Sequence, residues 1–154
     1  MSRFSFTPPV EIDDLPEDVR RVFEELASTL RPDQRALSGE CRPPFDVLET
    51  DESVKVVIDL AGVPAAAVRV LFHADILLIA GEKAPTIPAG ADTFHQVERE
   101  FGRFARGVRL DGAFDIERSQ ASIRNGELTV ILPKLMERRG QAHRIPITER
   151  DPQA

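Results

Sequence analysis

SQASIRNGELTVIL, residues 119–132, carries the reading of the fold. Residues 119–124 and 127–132 read as two short strands, with Asn125-Gly126 between them. A two-residue type I′ turn needs positive φ at both central positions, which Asn-Gly adopts cheaply. The same two-residue period recurs upstream. Val54, Val56, Ile58 and Leu60 alternate with Lys55, Val57 and Asp59, the pattern of a half-buried strand. Val68, Val70 and Phe72 repeat it. Residues 76–79 form a short apolar run bounded by Asp75 and Gly81, and residues 96–100 and 104–110 complete the set. Seven or eight short strands, with no helical pattern across residues 45–132, predict an all-β antiparallel sandwich spanning residues 42–135.

One segment of that zone stands apart. APTIPAGADTF, residues 84–94, has two prolines, a glycine and little alternation. It is long for a connection in a small sandwich, and long loops are functional or disordered.

On the N-terminal side the period changes. Val19, Val22, Phe23, Leu26, Ala27 and Leu30 share one face at helical spacing. Asp14 and Glu17 have capping-box spacing, Pro16 is tolerated in a first turn, and Glu17 and Asp18 suit the positive end of the helix dipole. Pro32 disfavours helix at Arg31. The spacing predicts one amphipathic helix over about residues 15–30, within an arm of residues 1–41. Such a helix is marginal alone and needs a surface on which to bury its apolar face. Residues 136–154 read as a flexible polar tail, apart from Ile145-Pro146-Ile147. In an extended segment Ile145 and Ile147 point the same way, and Pro146 stiffens that conformation. The motif reads as a two-pronged apolar plug on a tether.

Composition narrows the function classes. The 154 residues carry 20 Lys+Arg against 26 Asp+Glu, a formal net charge of −6. That balance lacks the basic excess that gives phosphate affinity, so no nucleic-acid partner is expected. No apolar run approaches the roughly 18 residues of a membrane span. MSRFSFTPPVEIDD, at the N-terminus, lacks the apolar core of a secretory signal, so cytoplasmic residence is the expectation. Cys41 is the one cysteine, which excludes an intrachain disulfide or a multi-cysteine metal site. His73, His95 and His143 lie far apart with no metal-ligand spacing, and no P-loop or Gly-x-Ser-x-Gly is found. Neither an enzyme nor a cofactor is expected.

These residues together resemble the small heat shock proteins, the α-crystallin family. Ala121-x-x-x-Asn125-Gly126-x-Leu128 is similar to the family's A-x-x-x-n-G-v-L hairpin, with Glu127 for the usual Val. Ile145-Pro146-Ile147 is similar to its I-x-I/V tail motif. Glu98-Arg99-Glu100-Phe101-Gly102-Arg103-Phe104 is similar to E-R-x-x-G-x-F. Residues 76–83, ILLIAGEK, are similar to V-L-x-I-x-G-E-R/K, and residues 59–63, DLAGV, to D-L-P-G-V with Ala61 for Pro. Asp111-Gly112 replaces a common Leu-Pro pairing, and Ser119 stands where Val or Ile often precedes the hairpin Ala. The resemblance covers residues 43–147.

The resemblance implies an immunoglobulin-like sandwich and an ATP-independent holdase, which binds partly unfolded client proteins and assembles as a dimer and a higher homo-oligomer. It implies that the loop bearing Ala84, Ile87 and Phe94 exchanges a short strand between subunits. It implies that Ile145 and Ile147 dock in a groove formed by Val68, Val70, Phe72, Ala121 and Ile123 of a neighbouring dimer. Phe4, Phe6, Val22, Phe23, Leu26 and Leu30, the arm's apolar inventory, are the client-binding candidates. The rival readings are a monomeric co-chaperone-like sandwich that binds one specific partner, and a hydrolase or metal enzyme on the same fold.

Overall fold

The structure, a computed structural model, describes residues 16–29, 41–85, 93–135 and 145–147. Among these residues are one helix, α1 (Pro16–Thr29), and seven strands. These are β1 (Phe45–Glu49), β2 (Ser53–Asp59), β3 (Val68–His73), β4 (Ile76–Lys83), β5 (Gly102–Arg109), β6 (Gln120–Arg124) and β7 (Glu127–Pro133). A 3₁₀ turn, Ala65–Ala67, leads into β3. Two sheets form, one ordered β1-β2-β7-β6 and the other β3-β4-β5, and every pairing is antiparallel.

The hairpin that fixes the reading joins β6 to β7. Asn125 has φ 53° and Gly126 φ 77°, as the type I′ turn requires. Its register sets Ala121 opposite Val130 and Ile123 opposite Leu128. The β2–β7 ladder sets Val56 opposite Val130 and Ile58 opposite Leu128, so these residues share the inward face. Val56 and Ile58 are fully buried, and Val130 and Leu128 nearly so. Alternation in sequence has thus become one packed face, because successive side chains of a strand point to opposite sides.

In the three-stranded sheet, Val68, Val70 and Phe72 pair with Gly81, Ile79 and Leu77, which pair in turn with Phe104, Arg106 and Val108. These nine positions face the sandwich interior. Gly81 has no room for a side chain: a Cβ would collide with the Ala67 carbonyl oxygen and lie 2.7 Å from Phe104 Cζ. The absent side chain lets the 3₁₀ turn and the Phe104 ring close over β4.

Strand β4 differs from the others. Ile76 through Ala80 are all buried, the outward-facing Ile76, Leu78 and Ala80 as deeply as the inward-facing Leu77 and Ile79. A strand buried on both faces reads as a continuous apolar run rather than an alternation. Its outward cover is α1, which sends Val22 (2% exposed) and Leu26 (0%) into the core.

One predicted strand is corrected. Residues 96–100 form no strand and are exposed throughout. Their only large apolar residue, Val97, is 61% exposed, so nothing anchors a strand there. The β4–β5 connection therefore runs over residues 84–101, longer than the predicted loop. The sequence also did not resolve β1, whose residues are mostly exposed.

Candidate functional site

The sandwich has two margins, and one contact orients it. The Arg106 guanidinium of β5 lies over the Phe45 ring of β1 at 4.7 Å, so β5 and β1 share a margin. Strands β3 and β6, the remaining outermost strands, lie at the other.

At the β3/β6 margin, inward-facing apolar residues are left incompletely covered. Val68 is buried, whereas Val70, Phe72 and Ile123 are half-buried. Ala121 faces inward opposite the buried Val130, yet is itself exposed. A side chain on the core face that still meets solvent marks an opening between the sheets. The Phe114 ring closes one end, meeting the Phe72 ring edge-on at 5.9 Å between centroids. All five predicted groove residues thus lie on the inward faces of the two strands at one margin. The two tail isoleucines are the most exposed large apolar residues described, Ile145 at 84% and Ile147 at 95%. Pro146 is exposed with them.

The β5/β1 margin has a different character. Burial pulls the Arg106 guanidinium below the usual arginine value, and nearby Arg42 adds to the effect. Residues 41–44 cross this margin: the Cys41 N–H donates to the Arg103 carbonyl at 3.0 Å, and the Asp59 N–H donates to the Pro44 carbonyl at 3.1 Å. The Cys41 thiol faces the Gly102 carbonyl at 3.6 Å. Burial pushes that thiol up; Lys83 opposes the effect and Glu100 reinforces it. The outer edge of β1 pairs with no strand among the described residues, and Val47 and Leu48 are exposed on it. Of the predicted exchange-loop residues, Ala84 is half-buried, Phe94 is 60% exposed, and Ile87 lies outside the described residues.

Helix α1 lies against the outward face of the three-stranded sheet. Glu25 Oε1 accepts from Arg69 Nε at 2.9 Å, and Asp18 Oδ2 lies 2.6 Å from His73 Nδ1. On the opposite flank, Arg103 stacks on the Phe23 ring at 4.9 Å while also pairing with the buried Glu82 at 3.3 Å. Val22 and Leu26 of the client-binding candidates are therefore covered, and Phe23 is half-buried. Phe4, Phe6 and Leu30 lie outside the described residues. Sequence reasoning missed this docking, although β4 carried its signal: apolar residues on both faces require a cover on each.

Among the described residues, no group of three His, Cys, Asp or Glu could hold a metal ion, and no helix is long and apolar enough to cross a membrane.

The arrangement matches known proteins. The model of the Hsp20/alpha crystallin family matches residues 46–148. Heat shock protein 16 of Schizosaccharomyces pombe is 32% identical over 122 residues, covering 78% of this chain and 85% of that protein. The 16.9 kDa class I heat shock protein 1 of Triticum aestivum is 33% identical over 136 residues, covering 88% and 90%. Among solved structures, heat shock protein 16.0 from S. pombe superposes with a TM-score of 0.59 at 32% identity, covering 70% of this chain and 99% of that one. A small heat-shock protein from Xylella fastidiosa gives 0.62 at 26% identity, covering 72% and 100%. An antiparallel sandwich, its Asn-Gly hairpin and an Ile-Pro-Ile motif thus coincide with similarity over most of the chain: it belongs to the Hsp20/alpha crystallin family, the small heat shock proteins, which are ATP-independent chaperones rather than enzymes.

Proposed function

We propose that this chain is a cytoplasmic holdase that binds partly unfolded proteins without ATP and assembles from strand-exchanged dimers through its tail. The observation that carries the reading is the pairing of the open β3/β6 margin, with Ala121 exposed on its inward face, and two isoleucines 84% and 95% exposed. Each is an apolar surface that water disfavours, and each loses that contact with water if it covers the other across subunits. Residues 1–41 then act as the arm, 42–135 as the sandwich and 136–154 as the tail.

Strand exchange follows from the other margin. Among the described residues the outer edge of β1 pairs with no strand, and such an edge invites aggregation unless something pairs with it. The residue 84–101 connection is long enough to bring a partner strand there, with Ala84, Ile87 and Phe94 on the exchanging part. Unfolding clients expose apolar surface and strand edges, and a protein that binds those states competes with aggregation by mass action.

The test is light scattering of a heat-stressed model client, with and without this protein, in the absence of ATP. Suppression at near-stoichiometric amounts is the expected result. No suppression at any temperature or excess overturns the holdase reading, and a stable monomer alongside it would favour a module that binds one defined partner.

A further inference from the structure

The outward face of the β3-β4-β5 sheet combines an apolar centre with polar flanks. The β3–β4 register aligns Arg69 with Ala80, Leu71 with Leu78 and His73 with Ile76 on this face. The centre, Ile76, Leu78 and Ala80, is buried, with Leu78 and Ala80 in one apolar cluster with Val22 and Leu26 of α1, and Leu71 beside it is still 39% exposed. On β3, Arg69 and His73 are four residues apart, a span of about 13 Å along a strand. On α1, Asp18 and Glu25 are seven residues apart, about 10.5 Å along a helix. Asp18 meets His73 and Glu25 meets Arg69, so α1 runs antiparallel to β3 with its acids in step with the donors. Val22 and Leu26, one turn apart, point at β4, and Phe23 reaches the Arg103 side.

We infer that this sheet face is a receptor for an amphipathic helix with acidic flanks, that α1 is its resident occupant, and that a partly unfolded protein presenting such a helix competes for it. The inference rests on the holdase reading only for the source of the competing helix. The occupant's chemistry is set by the face: an apolar pair at i, i+4 for β4, and carboxylates on one flank for Arg69 and His73. The resident helix is replaceable, because 14 residues hold helix poorly without a surface and both flanking contacts, the Arg69–Glu25 ion pair and the His73–Asp18 hydrogen bond, lie at the solvent boundary.

The test uses the full chain with Cys41→Ser and two fluorescent peptides read by anisotropy. One has the sequence of residues 16–29; the other carries lysine in place of Asp18 and Glu25. Loosening the resident helix by Leu26→Ala, or without touching the core by Asp18→Lys with Glu25→Lys, should raise affinity for the acidic peptide at least tenfold. A Glu25→Cys, Arg69→Cys pair bridged by a short thiol crosslinker should abolish binding. In Arg69→Glu, the preference for the acidic over the lysine peptide should fall about fivefold or invert, as loss of one partly exposed charge pair requires. Equal binding of both peptides in the unsubstituted and Arg69→Glu chains, or binding unaffected by the crosslink, overturns the inference and leaves α1 a fixed cover. Because peptide exchange needs no aggregating client, it fails or succeeds separately from the light-scattering assay.

Discussion

Replacing both tail isoleucines, Ile145→Ala with Ile147→Ala, should dissolve the large assembly into small subcomplexes. Each substitution removes three carbons from a side chain that is 84% or 95% exposed before docking. At roughly 0.8 kcal/mol per buried methylene, the pair forfeits about 5 kcal/mol per docked tail. With 1.4 kcal/mol per tenfold, each contact weakens by between three and four orders of magnitude. Because several tails would hold one particle, the losses compound and the particle should fall apart at micromolar subunit concentration. The assay is size-exclusion chromatography with light scattering, detected by refractive index because the chain has neither Trp nor Tyr. A second variant probes the receiving side. Ala121 is exposed, so Ala121→Phe fills the opening without disturbing the packed core, and should shrink the particle although the tail is intact. An unchanged particle mass in the double-alanine variant across a hundredfold dilution would refute tail docking. A shrunken tail variant beside an unaffected Ala121→Phe would move the docking site away from β3 and β6.

Other consequences follow from single positions. Gly81→Ala should cost about 1–3 kcal/mol by overpacking, because the obstructing atoms include a backbone oxygen that cannot move aside; an unaltered urea midpoint would contradict it. Gly126→Ala should cost about 1–2 kcal/mol from its left-handed φ of 77°, with the Cβ crowding Ala61 Cα at 3.2 Å, and the same unfolding measurement reads it. The Cys41 thiol should alkylate more slowly than a free cysteine at neutral pH, since burial holds it protonated and the thiolate is the nucleophile. Its rate should keep climbing above pH 9.0, the ordinary value, and a plateau reached below that pH would show an unburied thiol.

Legibility in the sequence followed solvent contact. Residues 53–59 were readable because Lys55 and Asp59 face water while Val54, Val56 and Ile58 face the core. The β6–β7 turn was readable because Asn-Gly has a conformational reason to be there. Residues 96–100 misled because a stretch of charges around Val97 has the rhythm of a strand without a neighbour to pair with. Strand β1 was hard to see because an edge strand buries little and so shows little pattern. The groove residues Val70, Phe72 and Ile123 could not be told from plain core, since alternation reports the face of a sheet and not whether its margin is closed. Docking of α1 escaped for a related reason: its partners on β3 and β5 are fixed by tertiary register, which no local spacing encodes. The tail motif was legible as an apolar plug from its i, i+2 spacing around Pro146, but only family resemblance gave Ile145 and Ile147 a groove to dock in.

Strand β4 has a consequence for how this sequence can vary. An edge strand such as β6 keeps an outward row, Gln120, Ser122 and Arg124, where most side chains can be exchanged at little cost. Residues 76–82 have no such row, because one face meets the opposite sheet and the other meets α1. A saturation scan should therefore find a block of six consecutive positions, residues 76–81, that rejects nearly every polar substitution, in a protein whose strands β2 and β7 tolerate one at every second residue. If α1 leaves its face under stress, that block should split, with Leu77, Ile79 and Gly81 still intolerant while Ile76, Leu78 and Ala80 become permissive for folding and matter only for what binds there.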